Sequence, residues 1–190
     1  MALRNAVLAA LLEGPASGYD LAKIFDASVG NFWMATPQQL YRELERMEAD
    51  GLIEATVVEQ SRRPNKRVFT ATAEGERVLR EFTARAPRPT AIRDELMVQV
   101  QSVDAGDAEA VRAAVLERVE WSSAKLARYE RLRLRELDGR TEEEHLARGE
   151  RVGPYLTVRR GISLEQENVR WGEWVLTVLD RRAATRPAHR

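Results

Sequence analysis

Leu3, Val7, Ala10 and Leu11 recur with helical spacing, and Gly14-Pro15 stops the run. This predicts a first helix. A second is predicted from Ser17, which caps it with Asp20 three residues on, to about Val29-Gly30-Asn31, with Leu21, Ile24 and Phe25 as its buried stripe. The clearest start signal is Thr36-Pro37-Gln38-Gln39, where Thr36 caps, Pro37 takes the first helical position and Gln39 completes a capping box. Leu40, Leu44 and Met47 then form one apolar line, Gln38, Gln39, Arg42, Glu45 and Arg46 are left for other faces, and Asp50-Gly51 closes the helix.

From Leu52 the period shortens to two: Ile53, Ala55 and Val57 alternate with Glu54, Thr56 and Val58 as in a half-buried strand. Lys66-Arg67-Val68-Phe69-Thr70 is again β-prone, so the two runs predict a hairpin whose tip lies within residues 60–65. Thr72 and Glu74 open a fourth helix carrying Val78, Leu79 and Phe82. Ala86-Pro87-Arg88-Pro89 resists helix and reads as a linker. Beyond it the pattern is helical: a short helix near Ile92 to Gln101, a long one from about Asp107 to Leu137 and a last one from about Pro154 to Leu179. The long helix carries only a narrow stripe (Val111, Val115, Val119, Leu126, Tyr129) and needs a partner helix. The last has two neighbouring lines, Tyr155, Val158, Ile162 and Val169 beside Leu164, Trp171, Val175 and Val178, enough for two neighbours within the chain or across a dimer.

Composition narrows the functional classes. With 30 Lys+Arg against 30 Asp+Glu among 190 residues, no long-range field draws the chain to nucleic acid, so any basic surface is local. Cysteine is absent, which excludes disulfides, thiolate metal sites and a cysteine nucleophile and fits a reducing cytoplasm. The N-terminal apolar stretch lacks the order of an export signal and no window is apolar enough for a membrane span, so a soluble cytoplasmic protein is expected. Enzyme signals are poor. His145 and His189 are isolated, no glycine-rich phosphate loop or nucleophile elbow occurs, and no cofactor or metal is expected. Glu142-Glu143-Glu144 before His145 reads as a solvated helix start capped by Thr141 rather than a metal site.

Three helices followed by a basic hairpin is the order of a winged helix domain, in which the third helix enters the major groove and the hairpin tip follows the phosphates. Residues 60–70 contain Arg62, Arg63, Lys66 and Arg67 and no Asp or Glu. Such a run also occurs as a solvated turn that keeps edge strands from aggregating. Its place behind a Thr-Pro-capped helix favours DNA. Thr36, Gln38, Gln39 and Arg42 lie at the helix end that touches bases or phosphate, and Gln pairs with adenine and Arg with guanine through two parallel hydrogen bonds. Gln38 and Arg42 are favoured over Gln39, which has a capping role of its own.

These residues resemble the PadR-like transcriptional regulators. The similarity runs through Leu3-Arg4, Ala9 with Leu11-Leu12, Gly14-Pro15, Ser17-Gly18-Tyr19-Asp20-Leu21, Phe32-Trp33, Gln39-Leu40-Tyr41-Arg42-Glu43-Leu44, Leu52-Ile53, Arg63-Pro64-Asn65-Lys66-Arg67-Val68-Phe69 and Thr72-Ala73-Glu74-Gly75. It covers about residues 3–85 closely, and the helical tail with Gly153-Pro154-Tyr155-Leu156 and Trp171 looks like the longer-tailed branch related to virulence-gene activators. The resemblance implies a cytoplasmic homodimer held by its C-terminal helices, repression relieved by a small aromatic molecule, and DNA contacts from Tyr41, Arg42, Arg63, Lys66 and Arg67. Asn65 stands where a basic residue often follows the wing proline, which weakens one phosphate contact.

The expected architecture is mainly α with a small β-hairpin. A winged helix-turn-helix domain spans 1–85, a linker 86–90, a helical dimerisation and effector domain 91–182, and a disordered tail 183–190. Trp33, Trp121, Trp171 and Trp174 are candidates for an aromatic effector site, against the plainer reading that they fill core and interface. The expected partners are double-stranded operator DNA, a second copy of the chain and a small aromatic ligand. The rival class is a winged helix module that docks another protein.

Overall fold

The computed structural model describes residues 2–27, 35–59, 65–87, 89 and 93–185, which fall in two compact units, 1–89 and 90–190. In the first unit the order is α1 (Ala2–Leu11), β1 (Ala16–Ser17), α2 (Gly18–Ala27), α3 (Pro37–Ala49), β2 (Ile53–Val58), β3 (Lys66–Ala71) and α4 (Ala73–Thr83). Local chemistry sets these boundaries. Thr36 Oγ1 accepts from the Gln39 N–H at 3.2 Å while Gln39 Oε1 accepts from the Thr36 N–H at 2.9 Å, the reciprocal box expected there. Ser17 and Asp20 do the same for α2, and Thr72 caps α4 by accepting from the Gly75 N–H at 3.1 Å. Apolar stripes then converge: Val7, Leu8, Leu11, Leu21, Phe25, Leu40, Leu44, Met47, Ile53 and Phe69 are all buried in one core. Phe82, expected on the buried face of α4, is exposed, whereas Val78 and Leu79 pack on that core. The predicted end of the second helix at residues 29–31 lies outside the described residues.

The sheet is larger than the expected hairpin. β2 and β3 pair antiparallel from Ile53↔Ala71 to Val58↔Lys66, and β1 joins the free edge of β3 through Ala16↔Phe69 and Ser17↔Val68, giving the order β1-β3-β2. Two residues are too few to show alternation, and β1 is a strand only because β3 offers it an unpaired edge.

The second unit contains α5 (Glu95–Gln101), α6 (Ala108–Leu137), α7 (Glu142–Arg148) and α8 (Gly153–Thr185). α6 and α8 run antiparallel, with Arg112 on Asp180 at one end, Lys125 on Glu165 midway, and Tyr129 beside Val158 and Ile162 further along. Gly172 makes their close approach possible: a Cβ there would collide with the Val119 side chain. Leu96, Val111, Val115 and Val175 form one cluster and Tyr129, Val158 and Ile162 another. Leu164, expected on a buried line, is exposed, and Glu165 takes the buried position instead.

Two expectations need correction here. α8 runs to Thr185, so residues 183–185 are helical rather than part of a disordered tail; Asp180 and Arg182 tie its last turns to Arg112 and Asp104. His145 does lie in a helix capped by a Thr141–Glu144 box, but it is not solvated. It is only 3% exposed and its ring lies 5.0 Å from that of Tyr155, because the start of α8 folds over α7.

Candidate nucleic-acid interface

The buried line Leu40, Leu44 and Met47 fixes the rotation of α3 about its axis, which leaves Gln38, Tyr41, Arg42 and Glu45 exposed on the other side. Arg42 makes no ion pair among the described residues. Gln39 is exposed too, but its side-chain oxygen is committed to the Thr36 N–H, and the Thr36 hydroxyl to Gln39. Tyr41 is held against the start of α2, where a Cβ on residue 18 would overlap its ring, so glycine at 18 permits the approach. Between α2, α3 and β3 lies a cleft of about 490 Å³ lined by Tyr19, Asp20, Tyr41, Glu45, Lys66 and Arg67 among others.

The two described cations of the wing, Lys66 and Arg67, are not free. Lys66 Nζ sits 2.7 Å from Asp20 Oδ2, and Arg67 Nη2 donates to Glu48 Oε1 at 2.7 Å and Oε2 at 2.6 Å. The run that is free of acids along the chain therefore meets two carboxylates in space. Arg62 and Arg63 lie outside the described residues. Three residues that the sequence did not offer as DNA contacts belong to this surface: Tyr19, whose exposed ring has the Lys23 ammonium 4.4 Å above it, and the acids Glu45 and Glu48. Tyr19 stands in the Ser17-Gly18-Tyr19-Asp20 segment, which was read for its capping chemistry and its family resemblance but not for contacts to DNA.

Lys66, then Ser17, hold the Asp20 carboxyl at about 2 rather than its usual 3.8. A depressed folded-state value means that the stabilisation is complete above about pH 4 and is lost as the pH falls towards about 2. Thermal melts between those limits are expected to show a steeper decline for the wild type than for Asp20→Asn; parallel declines would mean that the pair contributes nothing to folding.

The tryptophans separate. Trp171 packs against the Val115 and Val175 cluster, while Trp121 and Trp174 are 58% and 63% exposed on α6 and α8. Trp121 lines a second cleft, of about 600 Å³, with Leu96, Gln99 and Arg118, and neither Trp171 nor Trp174 reaches it. Trp33 lies outside the described residues. Among the described residues no group of three or more His, Cys, Asp or Glu is arranged to hold a metal ion, and no helix is long and apolar enough to cross a membrane.

Residues 7–81 match the transcriptional regulator PadR-like family and residues 92–180 match the virulence activator alpha C-terminal family. The "Probable transcriptional regulator Rv1176c" of Mycobacterium tuberculosis is 32% identical over 197 residues, covering 96% of this chain and 100% of that protein. The structure of the Vibrio cholerae virulence activator AphA is similar at a TM-score of 0.67 and 29% identity, over 95% of this chain and 99% of that one. Bacillus subtilis PadR shares the fold in two further structures. Its complex with operator DNA has a TM-score of 0.77 and 24% identity, over 94% of this chain and 98% of that one. Its complex with p-coumaric acid has a TM-score of 0.67 and 23% identity, over 95% and 99%. With a relative aligned over nearly the whole chain, both halves matched, and a winged helix unit followed by a helical one, the chain belongs to the PadR-like family of transcriptional regulators.

Proposed function

We propose that this regulator binds operator DNA as a homodimer, with residues 1–85 as the DNA-binding domain, residues 86–90 as linker and residues 91–182 as the dimerisation and effector domain, and that it is a cytoplasmic repressor relieved by a small aromatic molecule. One observation carries the DNA reading: Gln38, Tyr41 and Arg42 stand exposed on a helix whose opposite face is locked into the core, next to the strand that presents Lys66 and Arg67. Arg62 and Arg63 belong to the same basic run along the chain. Operator binding by Bacillus subtilis PadR supports the assignment, and its p-coumaric acid complex supports an aromatic effector. Exposed indoles at Trp121 and Trp174 offer flat surfaces on which such a ring can stack.

Selection of bound duplexes from a random pool tests the proposal, and a recovered palindrome is the expected result. Arg42→Ala is then expected to lower operator affinity by about 1–3 kcal/mol and relax the preference at one base position, because a guanine would lose two parallel hydrogen bonds. Equal weakening on every sequence would assign Arg42 to the phosphates instead. A titration against salt separates DNA binding from protein docking, since phosphate neutralisation makes affinity fall steeply as salt rises. Adding planar aromatic compounds to the selected complex tests relief of binding.

A further inference from the structure

Two carboxylates stand where a DNA-binding surface gains nothing from negative charge, and the fold holds them there. Asp20 Oδ2 accepts from Ser17 Oγ at 2.7 Å and from the Ser17 N–H at 3.3 Å as well as from Lys66 Nζ. Two of its three donors thus belong to the start of its own helix, so the carboxylate keeps its place whether Lys66 is bound or not. Glu48 projects from α3 and takes both of its hydrogen bonds from one Arg67 nitrogen, with the guanidinium 5.4 Å from the centre of the Phe69 ring. Neither pair is needed to anchor the wing. Lys66 and Arg67 are already held in the ladder opposite Val58 and Val57, and Phe69, two residues on from Arg67, is buried. Ion pairs this exposed contribute at most about 1 kcal/mol to folding.

A phosphate offers the same oxygen acceptors as a carboxylate and competes for the same donors. We infer that Asp20 and Glu48 set the DNA affinity of this regulator by occupying Lys66 and Arg67 in the free protein, so that phosphate must displace a carboxylate before the wing engages. Each such contact is an exchange. A counterion leaves the DNA, but another is taken up by the carboxylate that has been set free, so the pair adds little to the salt dependence. Non-specific binding rests almost wholly on phosphate contacts. Lowering that contribution on every sequence leaves stable occupancy to sites where α3 also gains base contacts, which suits a chain of zero net charge.

The inference rests on the DNA-binding reading, and one experiment addresses both. Full-length wild type, Asp20→Asn and Glu48→Gln are titrated with a random-sequence duplex by fluorescence anisotropy across about 50 to 200 mM salt. Each variant is expected to bind about two- to fivefold more tightly per protomer, with a salt slope steeper by about one ion per protomer. The same substitutions in Lys66→Ala and Arg67→Ala backgrounds supply the control. Loss of the gain there supports the exchange, whereas an equal gain in both backgrounds means simple repulsion between acid and DNA and overturns it. Asparagine at 20 retains an oxygen for Ser17; should that variant fail to fold, the Glu48 and Arg67 cycle decides alone. A wild type that binds no DNA at any salt removes the DNA reading and the exchange together. Wild-type binding with unchanged affinity and slope in both variants removes only the exchange.

Discussion

A chain cut after Pro89 is expected to fold, to sediment as a monomer and to bind operator about 10²–10⁴-fold more weakly than the full-length protein. Its folding follows from the core shared by α1 to α4 and the sheet, which belongs wholly to the first unit. Its monomeric state follows from what is removed. In the second unit Leu116, Trp121 and Leu134 of α6 and Leu156, Leu164 and Trp174 of α8 are exposed, more large apolar side chains than two solvated helices need. Covering them with a second copy would hold two α3 helices on one duplex, so that the second half-site binds at high effective concentration. Sedimentation of the shortened chain is the check: a dimer would take dimerisation away from α6 and α8.

Lys125→Met is expected to destabilise the protein by about 3 kcal/mol. Glu165 is 1% exposed in α8, and Lys125 Nζ at 2.6 Å and Asn168 Nδ2 at 3.0 Å donate to its carboxylate. Without the ammonium, a buried carboxylate loses its direct ion pair. The lower end of the usual range applies because Lys125 keeps a quarter of its side chain in solvent. Replacing both partners, as in Lys125→Met with Glu165→Leu, is expected to recover most of the loss, since an apolar pair of similar volume has no charge to solvate. Denaturant unfolding of the two single variants and the double variant closes the cycle, and additive losses would show that the two groups act independently.

Where a structural signal lies within four residues, it was legible. Thr36 and Gln39, Thr72 and Gly75, and Thr141 and Glu144 meet inside one helical turn, and capping depends on little else. The line Leu40, Leu44 and Met47 likewise implied which side chains of α3 face outward, so Gln38 and Arg42 were placed on the free face from periodicity alone. The same locality explains the favouring of Gln38 over Gln39, whose oxygen is indeed used by the cap.

What depends on distant parts of the chain could not be read this way. β1 exists because β3 has an open edge, and no pattern is carried by two residues. Residues 60–70 are acid-free along the chain, yet Asp20 and Glu48 reach Lys66 and Arg67 from α2 and α3, so the local charge there is a property of packing. Glu165 follows Ile162 by three positions on the inner face of α8, and only the arrival of Lys125 from α6 makes a charge tolerable there. The indoles are chemically identical in sequence, but Trp171 is half-buried against its neighbours and Trp121 and Trp174 are exposed, because each helix's phase against the next decides exposure. The amino-acid sequence by itself determined the order of helices and hairpin, their caps and the outward face of α3, all through short-range hydrogen bonding and periodic burial. The partners of each charge and the fate of each aromatic ring were decided only when the elements packed, since electrostatics and burial act through space and not along the chain.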